Sequence, residues 1–225
     1  AHISLTALIL TFGHTKGGVG KSTIALNFAI ERIRSGADVL LVDGDHRQTS
    51  LSKAIAVRSD SGLVPSVPCI VLDDARALRQ QVALLRAKYQ DILIDVGGKD
   101  SNALRAALTV TDVLILPVAP ESVELWAIDD VVDVITEAQS LHSFRVLVLL
   151  NRAKPTGRDN DETRALVAEY PGLTMLGPSL GQRSAFGSAF GRGQSVIEYR
   201  PTNAKAITEF RAVMNAVFSS SSPIT

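Results

Sequence analysis

The sequence predicts an α/β fold: one doubly wound domain, with a mostly parallel sheet flanked by helices on both faces. Three observations lead there. Six short, nearly continuous apolar runs recur along the chain, "LTALILTF", "DVLLVD", "PCIVL", "DILIDV", "DVLILPV" and "FRVLVLL". Strands this apolar are buried on both faces, as in parallel sheets covered by helices. Segments with helical spacing of apolar residues lie between the runs, and a strand–helix–strand order with right-handed crossovers builds this architecture. Hydrophobic residues make up 46% and charged residues 20% of the 225, so one sizeable core can be buried.

The first run, "LTALILTF", lacks a basic leader and leads straight into a glycine loop, so it reads as a strand and not as a signal peptide. No run approaches the roughly 18 apolar residues of a membrane span. After Lys21, residues Ile24, Leu26, Phe28, Ala29 and Ile33 supply a wide apolar helix face. Asp73 or Asp74 can cap a helix carrying Leu78, Val82, Leu85 and Tyr89. From Glu121, the set Leu125, Ile128, Val132 and Ile135 predicts another. The stretch Gly177 to Gly193, rich in Gly and Ser, reads as irregular. A last helix, Asn203 to Phe218, precedes the polar tail "SSSSPIT". One domain over 1–218 with a flexible tail over 219–225 is expected.

Lys plus Arg and Asp plus Glu both number 23, so any basic surface must be local. Cys69 is the only cysteine, which excludes an internal disulfide and a Cys-rich zinc or iron–sulfur site. It fits a reducing, cytoplasmic setting, and in its apolar run Cys69 reads as a small buried hydrophobe.

Between the first strand and the first helix lies "HTKGGVGKSTIAL", His14 to Leu26. That position is where a phosphate-binding loop belongs. Its glycines, Gly17, Gly18 and Gly20, with Val19 between, let backbone N–H groups converge on phosphate oxygens, and the helix N-terminus adds a favourable field. Lys21 would touch the β- and γ-phosphates, Ser22 would place its hydroxyl on Mg²⁺, and Thr23 could donate to the α-phosphate. Thr15 stands where the strict template has its first glycine. The pattern is instead K-G-G-x-G-K-S, with a second lysine, Lys16. His14 and His46 flank the site and read as solvated loop residues.

"KGGVGKST" resembles the deviant Walker A loop of the ParA/MinD group of P-loop ATPases. "VLLVDGD" resembles the group's strand ending in D-x-D, "DILIDVGG" its Walker B strand, and "DVLILPVAPESVELWAID" the strand and helix start that follow. The late "GPSLGQRSAFGSAFGRGQSV" is similar to the closing segment of small partition ATPases. The resemblance extends from about Leu8 to Phe218. It implies ATP and Mg²⁺ as cofactors, and Lys16 reaching across a homodimer to the phosphates of the partner's ATP. It implies that Asp45 orients the attacking water, that Asp43 supports the Mg²⁺ and water network, and that Asp95 holds Mg²⁺ through a water. Phosphoryl transfer depends mainly on positioning and charge neutralisation, so carboxylates around one Mg²⁺ suffice. Each of these aspartates can also be a plain cap or turn residue. Asn151, followed by Arg152 at the end of "FRVLVLLNR", would hydrogen-bond the adenine by the same resemblance, or simply serve as a turn residue.

Two departures stand out. His46 and Arg47 follow D-x-D where the group commonly has Pro and Gln. Gly97 and Gly98, then Lys99 and Asp100, follow Asp95 where it often has two prolines, and such glycines suit a flexible switch.

From Pro178 to Ala212 the chain carries Arg183, Arg192, Arg200, Lys205 and Arg211 against only Glu198 and Glu209. Partition ATPases bind non-specific DNA through basic residues in this region, so the resemblance implies DNA contacts by Arg183, Arg192 and Arg200, doubled in the ATP dimer. It also implies nucleoid association in the ATP state and a cargo-bound activator, ParB-like or otherwise centromere-binding. The plain alternative is a solvated charged surface. A MinD-like, membrane-reading ATPase is a second alternative, but the last helix has only Lys205, Glu209 and Arg211 as charges and looks built to dock on the core. A metabolic ATP-dependent ligase of the same fold is a third.

Overall fold

The computed structural model describes residues 7–45, 49–97, 101–120 and 125–219. Among the described residues, seven parallel strands form one sheet in the order β3-β2-β4-β1-β5-β6-β7. The strands are β1 (Leu8–His14), β2 (Val39–Asp43), β3 (Cys69–Val71), β4 (Asp91–Gly97), β5 (Val113–Val118), β6 (Arg145–Leu150) and β7 (Leu173–Met175). Helices α1 (Lys21–Arg34), α2 (Ser50–Asp60), α3 (Ala75–Leu85), α4 (Ser101–Leu108), α5 (Leu125–Gln139), α6 (Asp159–Ala168), α7 (Ser184–Phe190) and α8 (Ala204–Ser219) connect or follow them.

The continuous apolar runs have a direct cause. Successive side chains of a strand point to opposite faces, and both faces here are covered. Leu10, Phe12, Leu93, Ile115 and Leu149 pack towards α1 and α8, whereas Ile9, Ile94, Leu114, Leu116 and Val148 pack towards α3, α4 and α5. Phe28 of α1 meets Phe12 and Phe210 edge-on, with ring centroids 5.2 and 5.6 Å apart. Helix α8 buries Phe210, Val213 and Val217 completely, so it docks on the core as its sequence suggests. Asp74 caps α3, accepting from the Ala77 N–H at 2.7 Å. Asn203 caps α8 through the Ala206 N–H at 3.0 Å.

Several expectations need correction. "PCIVL" yields a three-residue strand at the sheet edge, so β3 is only partly buried and Cys69 is half-buried, not fully enclosed. The Gly177–Gly193 stretch contains α7, which buries Ala185 and Ala189 one turn apart. Helix α3 ends at Leu85, short of Tyr89. Strand β7 and helices α2 and α6 carry only weak apolar patterns; α4, outside the elements expected above, buries Ala103, Leu104, Ala107 and Leu108 at helical spacing. His46, Arg47, Gly98, Lys99, Asp100, Glu121 and the 220–225 part of the tail lie outside the described residues.

The sheet order fixes where a ligand can sit. β1 lies centrally, with β4 and then β2 on one side and β5 and then β6 on the other. In such sheets the crevice opens beyond the carboxyl ends of the strands, where the order reverses. Along that edge lie His14, Asp43, Gly97 and Leu150, the last residues of β1, β2, β4 and β6.

Candidate nucleotide site

The loop from Thr15 to Gly20 joins β1 to α1 and supplies no side-chain cap: Gly20 caps α1 in the left-handed region, at φ 96°. The first N–H groups of the helix are therefore left for a ligand. A side chain at Gly20 is also barred by space, since a Cβ there would stand 2.4 Å from Nδ2 of Asn151. That amide donates to the Val19 carbonyl at 2.8 Å. Asn151 is thereby tied to the loop from the far side of the sheet.

The two lysines of the loop differ in setting. Lys21 is buried, 7% exposed, whereas Lys16 is half-buried at the rim, beside the exposed Gly17 and Gly18. Burial lowers the Lys21 pKa, against the opposing pull of Asp95 and Asp45. Its ammonium donates to the Lys16 carbonyl at 3.1 Å. The space above Lys21 is kept by Gly97, where a Cβ would fall 2.2 Å from Lys21 Cε.

Asp43 and Asp95 sit side by side in register on β2 and β4. Burial pushes the Asp95 carboxyl up to about 7; the Ser22 hydroxyl and Lys21 oppose this, while Asp43 and Asp45 add to it. A carboxylate this disfavoured when alone is suited to a cation. Ser22 donates its hydroxyl to Asp95, so the loop hydroxyl and the β4 carboxylate already converge. These donors, with the free helix N–H groups, fit a nucleotide triphosphate with Mg²⁺.

Asp43 accepts from the Ser52 N–H at 2.9 Å, the Ser52 hydroxyl at 2.5 Å and the Asp45 N–H at 3.1 Å. Both its oxygens are engaged in holding the turn after β2 and the start of α2. Asp45 faces the same crevice, close enough to Lys21 to favour its charged form. His14 is not the solvated loop residue that its position suggests. It is 3% exposed, its pKa is held down to about 4 by burial and then by Lys21 and Lys16, and its Nδ1 accepts the Lys16 N–H at 3.0 Å.

A cleft of about 380 Å³ adjoins the loop, between the start of α1, Asn151, Arg152 and the segment leading into α7. Thr23 lines it, as does Arg183. Arg183 is not free for another anion: Glu209 takes its guanidinium through Nε at 2.8 Å and Nη2 at 2.5 Å, and also accepts the Gly181 N–H at 3.0 Å. Arg192 is exposed at the end of α7, its guanidinium 5.2 Å from the Tyr199 ring centroid. Arg200 is exposed too, and bonds the carbonyls of Ile197, Glu198 and Tyr199.

The segment carrying Arg192 and Arg200 is fastened by polar contacts that no motif signals. Arg58 of α2 is 1% exposed and forks onto Glu198 at 2.9 Å twice. Asn27 of α1 accepts the Val196 N–H at 2.7 Å, and Ser195 donates to Glu31 at 3.0 Å. A lone Arg in a helix and a lone Glu in a loop, 140 residues apart, carry no spacing rule that could pair them.

Comparison with known proteins bears on the family and the fold. The family described as ATPase MipZ matches residues 8–167. The maintenance of carboxysome distribution protein A of Halothiobacillus neapolitanus is 26% identical over 218 residues, covering 95% of this chain and 98% of that protein. Protein ParA of Rhizobium radiobacter is 22% identical over 222 residues, covering 93% and 96%. The fold is shared with the ATP complex of the Cyanothece McdA D38A variant, at a TM-score of 0.77 and 14% identity over 98% of this chain and 99% of that one. With the loop, the strands carrying Asp43 and Asp95 and the sheet order in place, the chain is a ParA/MinD-type P-loop ATPase and belongs to the ATPase MipZ family.

Proposed function

We propose that this positioning ATPase is a switch that closes into an ATP-sandwich homodimer, binds non-specific DNA in that state, and is released by hydrolysis. The observation that carries the reading is the division of labour between the two loop lysines: Lys21 is buried beside Asp95, and Lys16 stands at the rim. An inward lysine serves the protomer's own phosphates, and a rim lysine is in reach of a facing protomer's.

In this reading the N–H groups of Gly17 to Lys21 receive the phosphates, and Thr23 adds a donor. Lys21 leaves the Lys16 carbonyl for the β- and γ-phosphates. Ser22 and, through water, Asp95 would hold Mg²⁺, with Asp43 supporting that network indirectly through the turn it organises. Bound there, Mg²⁺ would neutralise charge on the phosphate oxygens. Asp45 orients the attacking water, and its proximity to Lys21 supports that placement. Asn151 and Arg152 border the cleft that suits the adenine.

DNA contacts are assigned to Arg192 and Arg200, with exposed Lys205 and Arg211 beside them in sequence. Arg183 is the first candidate by sequence, ahead of Arg192 and Arg200; its fork onto Glu209 makes it the weakest of the three. Each contact is doubled on dimerisation, which steepens both affinity and salt dependence. A cargo-associated ParB-like or centromere-binding activator would stimulate hydrolysis, and the ATP form would sit on the nucleoid within the cytoplasm. Among the described residues no helix is long and apolar enough to cross a membrane, and α8 spends its apolar face on the core.

The test is binding to random-sequence duplex DNA with ATP, ADP or no nucleotide across a salt series. Binding that appears only with ATP and falls steeply with salt is expected. Equal binding in all three states, or none with ATP bound, refutes the DNA reading; ATP-dependent binding to anionic vesicles instead would favour the membrane alternative.

A further inference from the structure

We propose that His14 is a positioning residue for Lys16: its ring fixes the peptide from which the rim lysine projects, so that the ATP-bound dimer can form. The inference rests on the reading of Lys16 as the lysine that crosses the dimer.

The Lys16 peptide is gripped at both ends. Its N–H donates to His14 Nδ1 at 3.0 Å, and its carbonyl accepts from the Lys21 ammonium at 3.1 Å. A backbone N–H can only donate, so Nδ1 of His14 carries no proton, and the neutral ring keeps its proton on Nε2. The low pKa of His14 agrees with that state.

The two grips differ in kind. Lys21 Nζ ends a flexible four-carbon stem and is drawn away to phosphate when nucleotide fills the loop. His14 cannot leave. It is the last residue of β1, its backbone is in register with Gly97 of β4, and the residue is 3% exposed. Space on the Gly97 side is closed as well, since a Cβ there would stand 2.7 Å from the His14 carbonyl oxygen. Once Lys21 turns to phosphate, the bond from the Lys16 N–H to His14 is a restraint that nucleotide does not withdraw.

Such a restraint is needed because two glycines follow. Gly17 and Gly18 are exposed, nothing lies within 4 Å of a Cβ at either, and Gly18 adopts φ 76°. Glycine backbone is permissive, so without an anchor Lys16 would sample many directions. Dimer formation would then have to fix that residue. Ordering one residue's backbone weakens association by about tenfold or more.

The experiment compares wild type, His14→Leu, His14→Asn and Lys16→Ala, with folding of each verified by thermal melting. Dimer dissociation is measured by analytical ultracentrifugation with Mg²⁺ and a non-hydrolysable ATP analogue. Monomer affinity for ADP is measured in parallel. His14→Leu should weaken the dimer about tenfold while ADP affinity changes far less. His14→Asn should restore dimerisation, because an Asn side-chain oxygen accepts an N–H two residues on. His14→Ala replaces His14→Leu where the latter does not fold.

If Lys16→Ala dimerises like wild type, the reading of Lys16 fails and this inference fails with it. If Lys16→Ala is impaired but folded His14→Leu dimerises normally, the role of His14 alone is overturned. Equal losses of ADP affinity and dimerisation in His14→Leu, or a folded His14→Asn that fails to dimerise, overturn it as well.

Discussion

Arg58→Ala is the substitution whose consequence the structure defines most sharply. The Arg58 side chain is 1% exposed and donates to the Pro65 carbonyl at 2.9 Å, the Gly193 carbonyl at 2.8 Å and both oxygens of Glu198 at 2.9 Å. Its removal leaves the Glu198 carboxylate, 9% exposed, with the Ser195 N–H at 3.0 Å and a marginal Arg34 interaction at 3.6 Å. Breaking a buried pair from one side costs about 3–5 kcal/mol, because an uncompensated charge stays behind. For a domain of this size that is a fall in melting temperature of roughly 10 °C. Gly193 adds to the effect, since its buried carbonyl loses the Arg58 donor at 2.8 Å. The assay is urea unfolding of wild type, Arg58→Ala, Glu198→Leu and the double variant. Expected is a double variant clearly more stable than the summed single losses, as neither charge is then stranded. A loss in Arg58→Ala of under about 1 kcal/mol, the scale of an exposed pair, or strict additivity, would refute the reasoning.

Further expectations concern the loop and the basic segment. His14 has its pKa lowered from 6.5 to about 4 by burial and by Lys21 and Lys16. The unfolded chain therefore takes up this proton first as pH falls, and stability is lost between those values by about 3 kcal/mol in full. His14→Asn should flatten the stability profile across that window, and an unchanged slope in urea unfolding contradicts the assignment. Gly97→Ala, whose Cβ meets Lys21 Cε at 2.2 Å, should displace Lys21 and cut ATP turnover by about tenfold or more, one such step being about 1.4 kcal/mol of barrier. Wild-type turnover in that variant would show that the crowding relaxes harmlessly. Removing Arg192 and Arg200 together should leave ATP-dependent dimerisation intact and lower the salt slope of DNA binding by about 0.9 for each phosphate no longer neutralised. An unchanged slope would move the DNA surface elsewhere.

Local features of the sequence determined the phosphate loop and the strands around it. Glycines at Gly17, Gly18 and Gly20, the lysine and serine that follow, and apolar runs ending in Asp43, Asp95 and Asn151 all act within a few residues, so they are legible without a fold. The apolar runs are continuous because both sheet faces are covered, and the carboxyl-edge rule then carries their end residues to one crevice. What depends on neighbours distant in sequence stayed hidden. Cys69 belongs to an apolar run, yet it is only half-buried because the tertiary order puts β3 at the sheet edge. Arg183 reads as a free cation until α8 brings Glu209 against it. His14 reads as a solvated loop residue until the sheet buries it and the loop folds back to place the Lys16 N–H on its ring. Arg58 meets Glu198 only because Gly193 lets the late segment lie flat on α2. Charge and burial at these positions are set by which elements pack together, and no spacing along the chain encodes that.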